Sequence, residues 1–326
     1  MHRGAIWLGA FALAFAFRPA IAQTYPVEIR SCADPVTFDG PPRRALVNDT
    51  NMVQTILDLG LADRVVGVSG IKGVERHLVG RPEDIARLPQ FVDRYPSLEA
   101  ILGQNPDFMF AGWNYGFRNT TGVTPEALAA FGVKSYVLRE SCIRIGQREP
   151  ISMETLYADI SALGAIFGIR ERAEAMIASL KARVAAVEER LRDVSVRPRV
   201  MYCDDCYRAT PPLSVGREGM TALLMRLAGG QNIFDDIADS YVWVSWEEVA
   251  RRDPQWIIVN DHRIPVEQTI AHLTSDPELS HVEAIRKRRF IPLTYAEQTP
   301  STRSVDGLEK FARALHPERF AGGSAQ

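Results

Sequence analysis

Two stretches of the sequence decide the fold: residues 97–110 read SLEAILGQNPDFMF, and residues 245–258 read SWEEVARRDPQWII. They align without a gap as Ser-x-Glu-x-Ile/Val, three further residues, Asn/Asp-Pro-x-aromatic and two apolar residues. Serine is a preferred helix N-cap and a carboxylate is favoured in the first turn, so each stretch predicts a short helix that ends before its proline. The apolar runs after the prolines predict buried parallel strands.

A second repeat lies upstream of each of these stretches. Residues 52–59 (MVQTILDL) carry apolar side chains at helical spacing and end at Gly60, and residues 220–227 (MTALLMRL) end before a Gly-Gly pair. Short apolar stretches follow at residues 65–68 and 233–234, and both are predicted to be strands. Each half then reads strand–helix–strand–helix–strand, which predicts two similar α/β lobes. The alternative is a chance similarity between two unrelated α/β units.

A long helical region separates the two halves. Residues 152–168 and 171–194 have apolar residues at helical spacing, and the second segment contains neither proline nor glycine. A helix of about 24 residues is about 36 Å long, which is enough to bridge two lobes. The predicted domains are an N-terminal α/β lobe over residues 23–150, a helical region over 151–195 and a C-terminal α/β lobe over 196–326.

The first 22 residues predict a secretory signal peptide. A short positive start precedes the apolar run AIWLGAFALAFAF, and Ala-Ile-Ala follows as a cleavage site. A membrane anchor is the alternative, but 13 apolar residues are too few to cross a bilayer core of about 30 Å. Lipidation is not expected, because the first cysteine, Cys32, lies ten residues beyond the proposed cut. The expected product is a soluble periplasmic protein that is neither lipid-anchored nor stably inserted in a membrane.

The charge of the chain excludes one class of protein, and its cysteine content indicates disulfide bonds. The chain carries 38 Lys and Arg against 40 Asp and Glu, which excludes a nucleic-acid binder with a dominant basic surface. Export places the four cysteines in an oxidising compartment, where three pairings are open to them. We favour Cys32 with Cys142, and Cys203 with Cys206.

The order and spacing of six stretches resemble one family. They are spread over nearly the whole of residues 43–320 and lie at residues 48–68, 96–111, 163–180, 220–232, 244–260 and 304–317. With two α/β lobes, one helical bridge and a signal peptide, the chain resembles the helix-linked (class III) periplasmic substrate-binding proteins of ABC importers for ferric siderophores, cobalamin and haem. The resemblance implies two Rossmann-like lobes, each with a central, mostly parallel sheet, joined by a long helix with a ligand cleft between them.

The resemblance also implies a function and partners. The protein would be a monomer and would need no cofactor. It would capture a metal chelate and deliver it to a membrane permease, and a ferric siderophore is favoured over cobalamin or haem as the chelate. Glu99 and Glu247, equivalent in the repeat, would dock the arginines of the two permease subunits. The alternative for these two carboxylates is compensation of the helix dipole.

Ligands of open α/β sheets bind beyond the carboxyl ends of the strands, so the loops there supply the candidate site. The aromatic loop at residues 113–118 suits a flat or aromatic chelate, and arginines suit its anionic oxygens; the alternative is a packed loop. The candidate ligand-binding residues are Asn48, Asp49, Asn51, Trp113, Asn114, Tyr115, Phe117, Arg118, Arg139, Tyr207, Arg208, Asp261, His262, Arg263, Tyr295 and Arg303.

The motif Cys203-x-x-Cys206 keeps two other classes of function open. An exported redox enzyme would use the pair as a dithiol, and a metal site would combine both cysteines with His262. A structural disulfide is the third interpretation. The sequence contains no nucleophile elbow, zinc-protease motif or phosphate loop, so we predict a binding protein and not an enzyme. His77, His272 and His281 are interpreted as surface residues.

Overall fold

The structure is a computed structural model that describes residues 24–147, 149–207 and 211–321. The predicted signal peptide and the candidate residue Arg208 lie outside the described residues. The strands are β1 (Val27–Ser31), β2 (Asp34–Phe38), β3 (Ala45–Asn48), β4 (Val65–Ser69), β5 (Gln90–Val92), β6 (Phe108–Trp113), β7 (Gly116–Phe117), β8 (Lys134–Val137), β9 (Arg199–Cys203), β10 (Leu213–Val215), β11 (Gln231–Asn232), β12 (Tyr241–Trp243), β13 (Trp256–Asp261) and β14 (Phe290–Thr294).

The helices surround these strands. The α-helices are α1 (Thr50–Asp58), α2 (Pro82–Ala86), α3 (Leu98–Gly103), α4 (Pro125–Ala129), α5 (Met153–Ile166), α6 (Arg170–Leu191), α7 (Met220–Leu227), α8 (Trp246–Arg252), α9 (Val266–Ser275), α10 (Glu283–Arg286), α11 (Tyr295–Gln298) and α12 (Ser304–Leu315). Short 3-10 helices lie at Ala62–Arg64, Glu75–His77, Asn119–Thr121, Arg139–Ile145, Pro277–Leu279 and Pro317–Arg319.

Two parallel sheets form the centres of two lobes. Lobe one, the elements up to Ile145, has the strand order β5-β4-β3-β6-β7, with β8 also pairing with β6, and each of these pairings is parallel. Lobe two, the elements from Arg199 onward, has the order β11-β9-β13-β14, again with parallel pairings. The predicted fold class, two α/β lobes with parallel sheets, is confirmed.

The repeat that decided the fold has the local structure that its residues predict. Ser97 caps α3 by accepting a hydrogen bond from the Ala100 N–H at 3.2 Å, and Ser245 caps α8 through the Glu248 N–H at 3.2 Å. Both helices end just before their prolines, and the buried strands β6 and β13 follow. Each repeat unit therefore supplies one helix and one central strand of its lobe.

The second repeat is confirmed at its helices and is wrong at one strand. Helices α1 and α7 end where Gly60 and Gly229 take left-handed conformations, with φ of 66° and 77°, which glycine adopts at little cost. Residues 65–68 lie in β4, as predicted. Residues 233–234 do not form a strand: the parallel pairing with β9 involves β11, and Ile233 and Phe234 turn into the core of lobe two after it.

Helix α6 makes polar contacts with both lobes. Near its start, Arg172 Nη1 donates to the carbonyl of Leu59 at 2.7 Å in lobe one. Further along, Arg183 pairs with Asp306 at 2.6 Å and Glu309 at 2.9 Å, both on α12 of lobe two. One apolar cluster also continues from α1 through α6 to α12. The predicted long helix is thus packed against both lobes over its 22 residues.

Two antiparallel strand pairs were not anticipated. Strands β1 and β2 pair beside lobe one, and β10 pairs with β12 in lobe two. The structure also bonds Cys32 to Cys142 and Cys203 to Cys206, the pairing favoured from the sequence. Among the residues that the structure describes, no helix combines the length and the apolar character needed to span a membrane.

Candidate ligand-binding site

A cavity of about 450 Å³ lies between the lobes, beyond the carboxyl ends of both parallel sheets. Loops that follow β3, β5, β6 and β8 form its lobe-one wall. Loops that follow β9, β13 and β14 form its lobe-two wall together with the antiparallel pair β10 and β12. The residues that line it are Asp49, Arg94, Tyr95, Asn114, Tyr115, Arg144, Asp204, Asp205, Leu213, Tyr241, Asn260, His262, Arg263, Ile264, Thr269 and Tyr295.

Four tyrosines give the cavity its aromatic character. Tyr95 and Tyr115 come from lobe one, and Tyr241 and Tyr295 come from lobe two. Burial raises the pKa of each phenol above its ordinary value. The four hydroxyl groups therefore stay protonated at neutral pH and can donate hydrogen bonds, while their rings offer a large contact area.

Three arginines lie on the wall, and two of them contact the opposite lobe. Arg144 Nη2 donates to Ser240 Oγ at 2.6 Å, and the guanidinium lies 5.7 Å from the centre of the Tyr241 ring. Arg263 reaches from lobe two to lobe one, where it donates to the carbonyls of Gly70 at 3.0 Å and Lys72 at 3.1 Å. Arg94 is exposed at the wall. Two of the three cationic groups thus also fix the spacing of the lobes.

Three aspartates oppose the arginines in charge. Asp49 adopts a φ of 65° between β3 and α1, and its N–H donates to the Ser69 carbonyl at 2.9 Å. Burial raises the pKa of Asp49 to about 7, against a smaller opposing effect from Arg263 and other nearby arginines. Burial also raises the pKa of Asp204. Near neutral pH the positive and negative charges of the wall therefore nearly cancel, and a small net positive charge is left.

Two polar atoms on the cavity wall lack a hydrogen-bond partner within the described part of the chain. Asn260 Oδ1 and His262 Nδ1 are buried and have no hydrogen-bond partner among the described residues. Burial lowers the pKa of His262 to about 3, so its ring is neutral, and it lies 4.9 Å from the Tyr295 ring between centres. Buried polar atoms are almost always hydrogen-bonded in folded proteins, so these two are positioned to bind a ligand.

Six of the predicted ligand residues line the cavity. They are Asp49, Asn114, Tyr115, His262, Arg263 and Tyr295. Two more lie next to it: Arg118 stacks over the Tyr95 ring at 4.1 Å, and Asp261 lies 3.6 Å from His77 Nε2. His77 is accordingly half-buried and in contact with lobe two, which corrects its interpretation as a surface residue, whereas His272 and His281 are exposed.

Four predicted ligand residues lie in the protein interior instead of on the cavity wall. Trp113 and Phe117 pack against each other in the lobe-one core, and Phe117 is fully buried. Asn48 accepts a hydrogen bond from Ser69 Oγ at 2.6 Å, and Asn51 donates to the Pro300 carbonyl at 3.1 Å. Of the residues of the aromatic loop, only Asn114 and Tyr115 line the cavity.

Three further candidates are absent from the cavity lining because other groups engage them. Arg139 lies 3.6 Å from Glu149 at a separate surface groove. Tyr207 is exposed, with its ring against that of His272. Arg303 pairs with Asp58 at 2.7 Å and with Asp306 at 3.3 Å.

Sequence reasoning did not single out several lining residues. Arg94 and Tyr95 follow β5, and Arg144 follows β8, so the rule about carboxyl ends of strands could have found them. Tyr241 and Leu213 come from the antiparallel pair β10 and β12, whose three-residue strands gave no signal in the sequence. Asp204 and Asp205 lie between the two cysteines of the Cys-x-x-Cys motif and directly follow β9, so the same rule applies to them.

The cysteine metal site is contradicted. Cys203 and Cys206 are bonded to each other, so neither offers a thiolate to a metal beside His262. The described residues contain no group of three or more His, Cys, Asp or Glu side chains that could hold a metal ion. The disulfide interpretation of the motif is the one that the structure contains.

The two repeat carboxylates lie at equivalent exposed positions. Glu99 is in the first turn of α3 and Glu247 in the first turn of α8, and both side chains are exposed. In each case a hydrogen bond to the residue's own N–H, followed by one from the capping serine, holds the pKa of the carboxyl below its ordinary value. Both groups are therefore charged at neutral pH and available to a partner.

Comparison with known proteins places this fold and cavity in a family. The model of the family described as "Periplasmic binding protein" matches residues 47–295. The chain therefore belongs to the periplasmic binding protein family, and the prediction of this family is confirmed.

Three similar proteins illustrate the range of the family. A cobalamin-binding protein of Halobacterium salinarum is 26% identical, with 97% of this chain and 86% of that protein aligned. The structure of an ABC-type Fe³⁺-hydroxamate transport system from Saccharomonospora viridis matches at a TM-score of 0.76 and 26% identity, covering 92% of this chain and all of that chain. The haem-binding protein RhuT of Roseiflexus matches in fold at a TM-score of 0.67 and 22% identity, covering 84% and 99%.

Proposed function

We propose that this protein is the substrate-binding component of an ABC importer, and that it captures a metal chelate in the interlobe cavity and delivers it to a membrane permease. The observation that carries the proposal is the cavity itself, built by the carboxyl ends of both sheets and lined by residues of both lobes. A ligand that contacts both walls stabilises one arrangement of the lobes, which a permease can distinguish from the empty one.

The charge of the wall favours a neutral or weakly anionic chelate. Three arginines face three aspartates, and the raised pKa of Asp49 leaves a small positive excess near neutral pH. A ferric hydroxamate siderophore is neutral and rich in hydrogen-bond acceptors, which suits the four tyrosine hydroxyls and the arginines. A ferric catecholate is strongly anionic and would leave its charge uncompensated beside the aspartates.

A corrinoid is the second candidate. The relative from Halobacterium salinarum is named a cobalamin-binding protein, and its similarity extends over 97% of this chain. The amide groups around a corrin ring both donate and accept hydrogen bonds, and the mixed wall of arginines and aspartates suits such a neutral ligand. The aromatic side chains would contact the ring.

Delivery would use the two helices of the internal repeat. Glu99 and Glu247 present exposed carboxylates at equivalent positions of the two lobes, so they can dock arginines on the two permease subunits. The protein would act as a periplasmic monomer released by cleavage after residue 22, and it would carry out binding without catalysis.

A panel of chelates tests the proposed function. Thermal unfolding is followed with ferrichrome, a ferric tris-catecholate, cyanocobalamin and haemin, because a ligand that binds only the folded state stabilises it by about 2.7 kcal/mol at a hundred times its Kd. We expect ferrichrome or cyanocobalamin to raise the melting temperature, and the catecholate to raise it less. A panel in which none of the four chelates raises the melting temperature contradicts the proposal.

A further inference from the structure

The disulfide between Cys203 and Cys206 lies directly behind the cavity wall. Cys203 is the last residue of β9, and both cysteines are buried, with exposed fractions of 1% and 2%. They belong to the apolar core of lobe two, together with Met201 and Val259. The two residues between the cysteines, Asp204 and Asp205, both line the cavity.

The alternation of β9 explains why the aspartates face the ligand. Successive side chains of a strand point to opposite faces, so Cys203 points into the lobe-two core while Tyr202 points to the other side. Asp204 continues the Tyr202 side, and the Tyr202 hydroxyl donates to its carboxylate at 2.6 Å. The disulfide then holds Cys206 in the core as well. Asp204 and Asp205, between the two cysteines, therefore form a curve of the chain on the cavity side.

Polar contacts fix the same curve from the cavity side. The Asp204 N–H donates to the Leu213 carbonyl at 2.9 Å, and Asn260 Nδ2 donates to the Asp204 carboxylate at 2.8 Å. Asp205 forms an antiparallel bridge with Leu213. Burial raises the pKa of Asp204, which shows that this position disfavours the charged carboxylate. A covalent tie to the core opposes the tendency of the loop to move its carboxylates outward into water.

We infer that the Cys203–Cys206 disulfide is a positioning element of the ligand site, holding Asp204 and Asp205 where they contact the donor groups of a bound chelate. The inference rests on the proposed function, since it concerns the same cavity. The cysteines do not touch the ligand in this arrangement, and they act through the carboxylate of Asp204.

The test compares four forms of the protein without its predicted signal peptide. They are the unsubstituted chain, C203A/C206A, D204N, and the C203A/C206A/D204N combination. C32A/C142A is the matched control, because it removes the other disulfide, whose cysteines are not directly followed or preceded by residues that line the cavity. Amide hydrogen exchange of residues 203–207 is measured without ligand, and the Kd values for ferrichrome and cyanocobalamin are measured by calorimetry.

We expect faster exchange at residues 203–207 in C203A/C206A, and a Kd for the bound probe about tenfold weaker, as for the loss of one hydrogen bond to a charged group. C32A/C142A should leave both quantities nearly unchanged even where it lowers the melting temperature. In the D204N background, removing the disulfide should weaken binding by less than about threefold, because the contact that it positions is already altered.

Two results overturn the inference. The first is unchanged exchange of residues 203–207 without the disulfide, and the second is a full further loss of affinity in the D204N background. Failure of the proposed function is read separately, because it appears as an absence of binding to the unsubstituted chain. The exchange comparison needs no ligand, so it decides the positioning role in that case as well.

Discussion

Asp49 places a carboxyl group in the cavity wall, where burial raises its pKa to about 7. Arg263, Arg94 and Arg118 favour the charged form, but they do not offset the loss of water around the group. The unfolded chain loses this proton near pH 3.9, so between that pH and about 7 the folded state binds a proton that the unfolded state has released. Raising the pH through this window therefore lowers the free energy of unfolding.

Asp49→Asn should remove this pH dependence at one site. We expect the substitution to raise the free energy of unfolding by about 1–3 kcal/mol at pH 8 and to change it little at pH 4, because only the charged carboxyl is costly to bury. Urea denaturation at the two pH values measures the difference. Asp63→Asn is the control, since Asp63 is exposed. An equal effect of Asp49→Asn at both pH values would show that burial of charge is not the cause.

Trp113 and Tyr115 are two residues apart in the sequence and have different roles in the structure. Tyr115 lines the cavity, whereas the Trp113 ring packs against Phe117 in the core of lobe one. We expect Tyr115→Ala to weaken chelate binding by about 1–4 kcal/mol with a cooperative unfolding transition retained. Trp113→Ala should instead lower the free energy of unfolding by about 3–5 kcal/mol. Calorimetric titration and urea denaturation of both variants measure the two effects, and the reverse pattern would refute the assignment.

Helices α3 and α8 each carry one of the two carboxylates that we propose to dock the permease. Their N-caps and first turns match, so the repeat presents Glu99 and Glu247 in the same local geometry on each lobe. Reversal of both charges by E99R/E247R should stop transport while chelate affinity and stability change little, because both side chains are exposed and remote from the core. Each single reversal should give a partial defect. Uptake of radiolabelled chelate into cells that carry the cognate permease measures the effect.

A matched pair of reversals provides the control for docking. Glu83 and Glu267 are also exposed first-turn acids, on α2 of lobe one and α9 of lobe two. E83R/E267R changes the net charge by the same amount without touching the repeat. If both double variants transport at the same rate, whether normal or reduced, the repeat has no specific docking role and its carboxylates serve only the helix dipole.

An ion-pair network ties the whole molecule together beyond the cavity. Asp58 at the end of α1 pairs with Arg303 at 2.7 Å, Arg303 also pairs with Asp306 on α12 at 3.3 Å, and Asp306 pairs with Arg183 on the bridging helix α6. Lobe one, the bridge and lobe two thus share one chain of charges. The side chains of Asp58 and Arg303 are only 13% and 27% exposed, so this pair is shielded from solvent more than a surface pair.

Arg303→Met should lower the free energy of unfolding by about 1–3 kcal/mol, since it leaves the shielded carboxylate of Asp58 without its charged partner. The double variant D58N/R303M should recover part of this loss, because no charge then remains unpaired. Urea denaturation of the singles and the double gives the coupling energy directly. Strictly additive effects of the two substitutions would mean that the pair does not couple the lobes.

The sequence by itself determined the two α/β lobes, the helical bridge and the family. These features depend on local physics: a serine cap, a carboxylate in the first turn, a proline after the helix and an apolar run appear twice at the same spacing. The rule for carboxyl ends of parallel strands also led to Asp49, Tyr115, His262, Arg263 and Tyr295 on the cavity wall. Such signals need only the order of residues along the chain.

Only the tertiary structure decided which polar and aromatic residues face the cavity. Trp113 and Tyr115 lie on one loop, and the direction of each side chain depends on packing between strands, which no pattern in a short loop encodes. Arg303 pairs with Asp58, which is 245 residues away in the chain. Tyr241 lies on the wall because β12 pairs with β10, and both strands have weak sequence signals. The role that we infer for Cys203-x-x-Cys206 likewise rests on the tertiary structure, because only the folded chain places the disulfide beside Asp204 at the cavity wall.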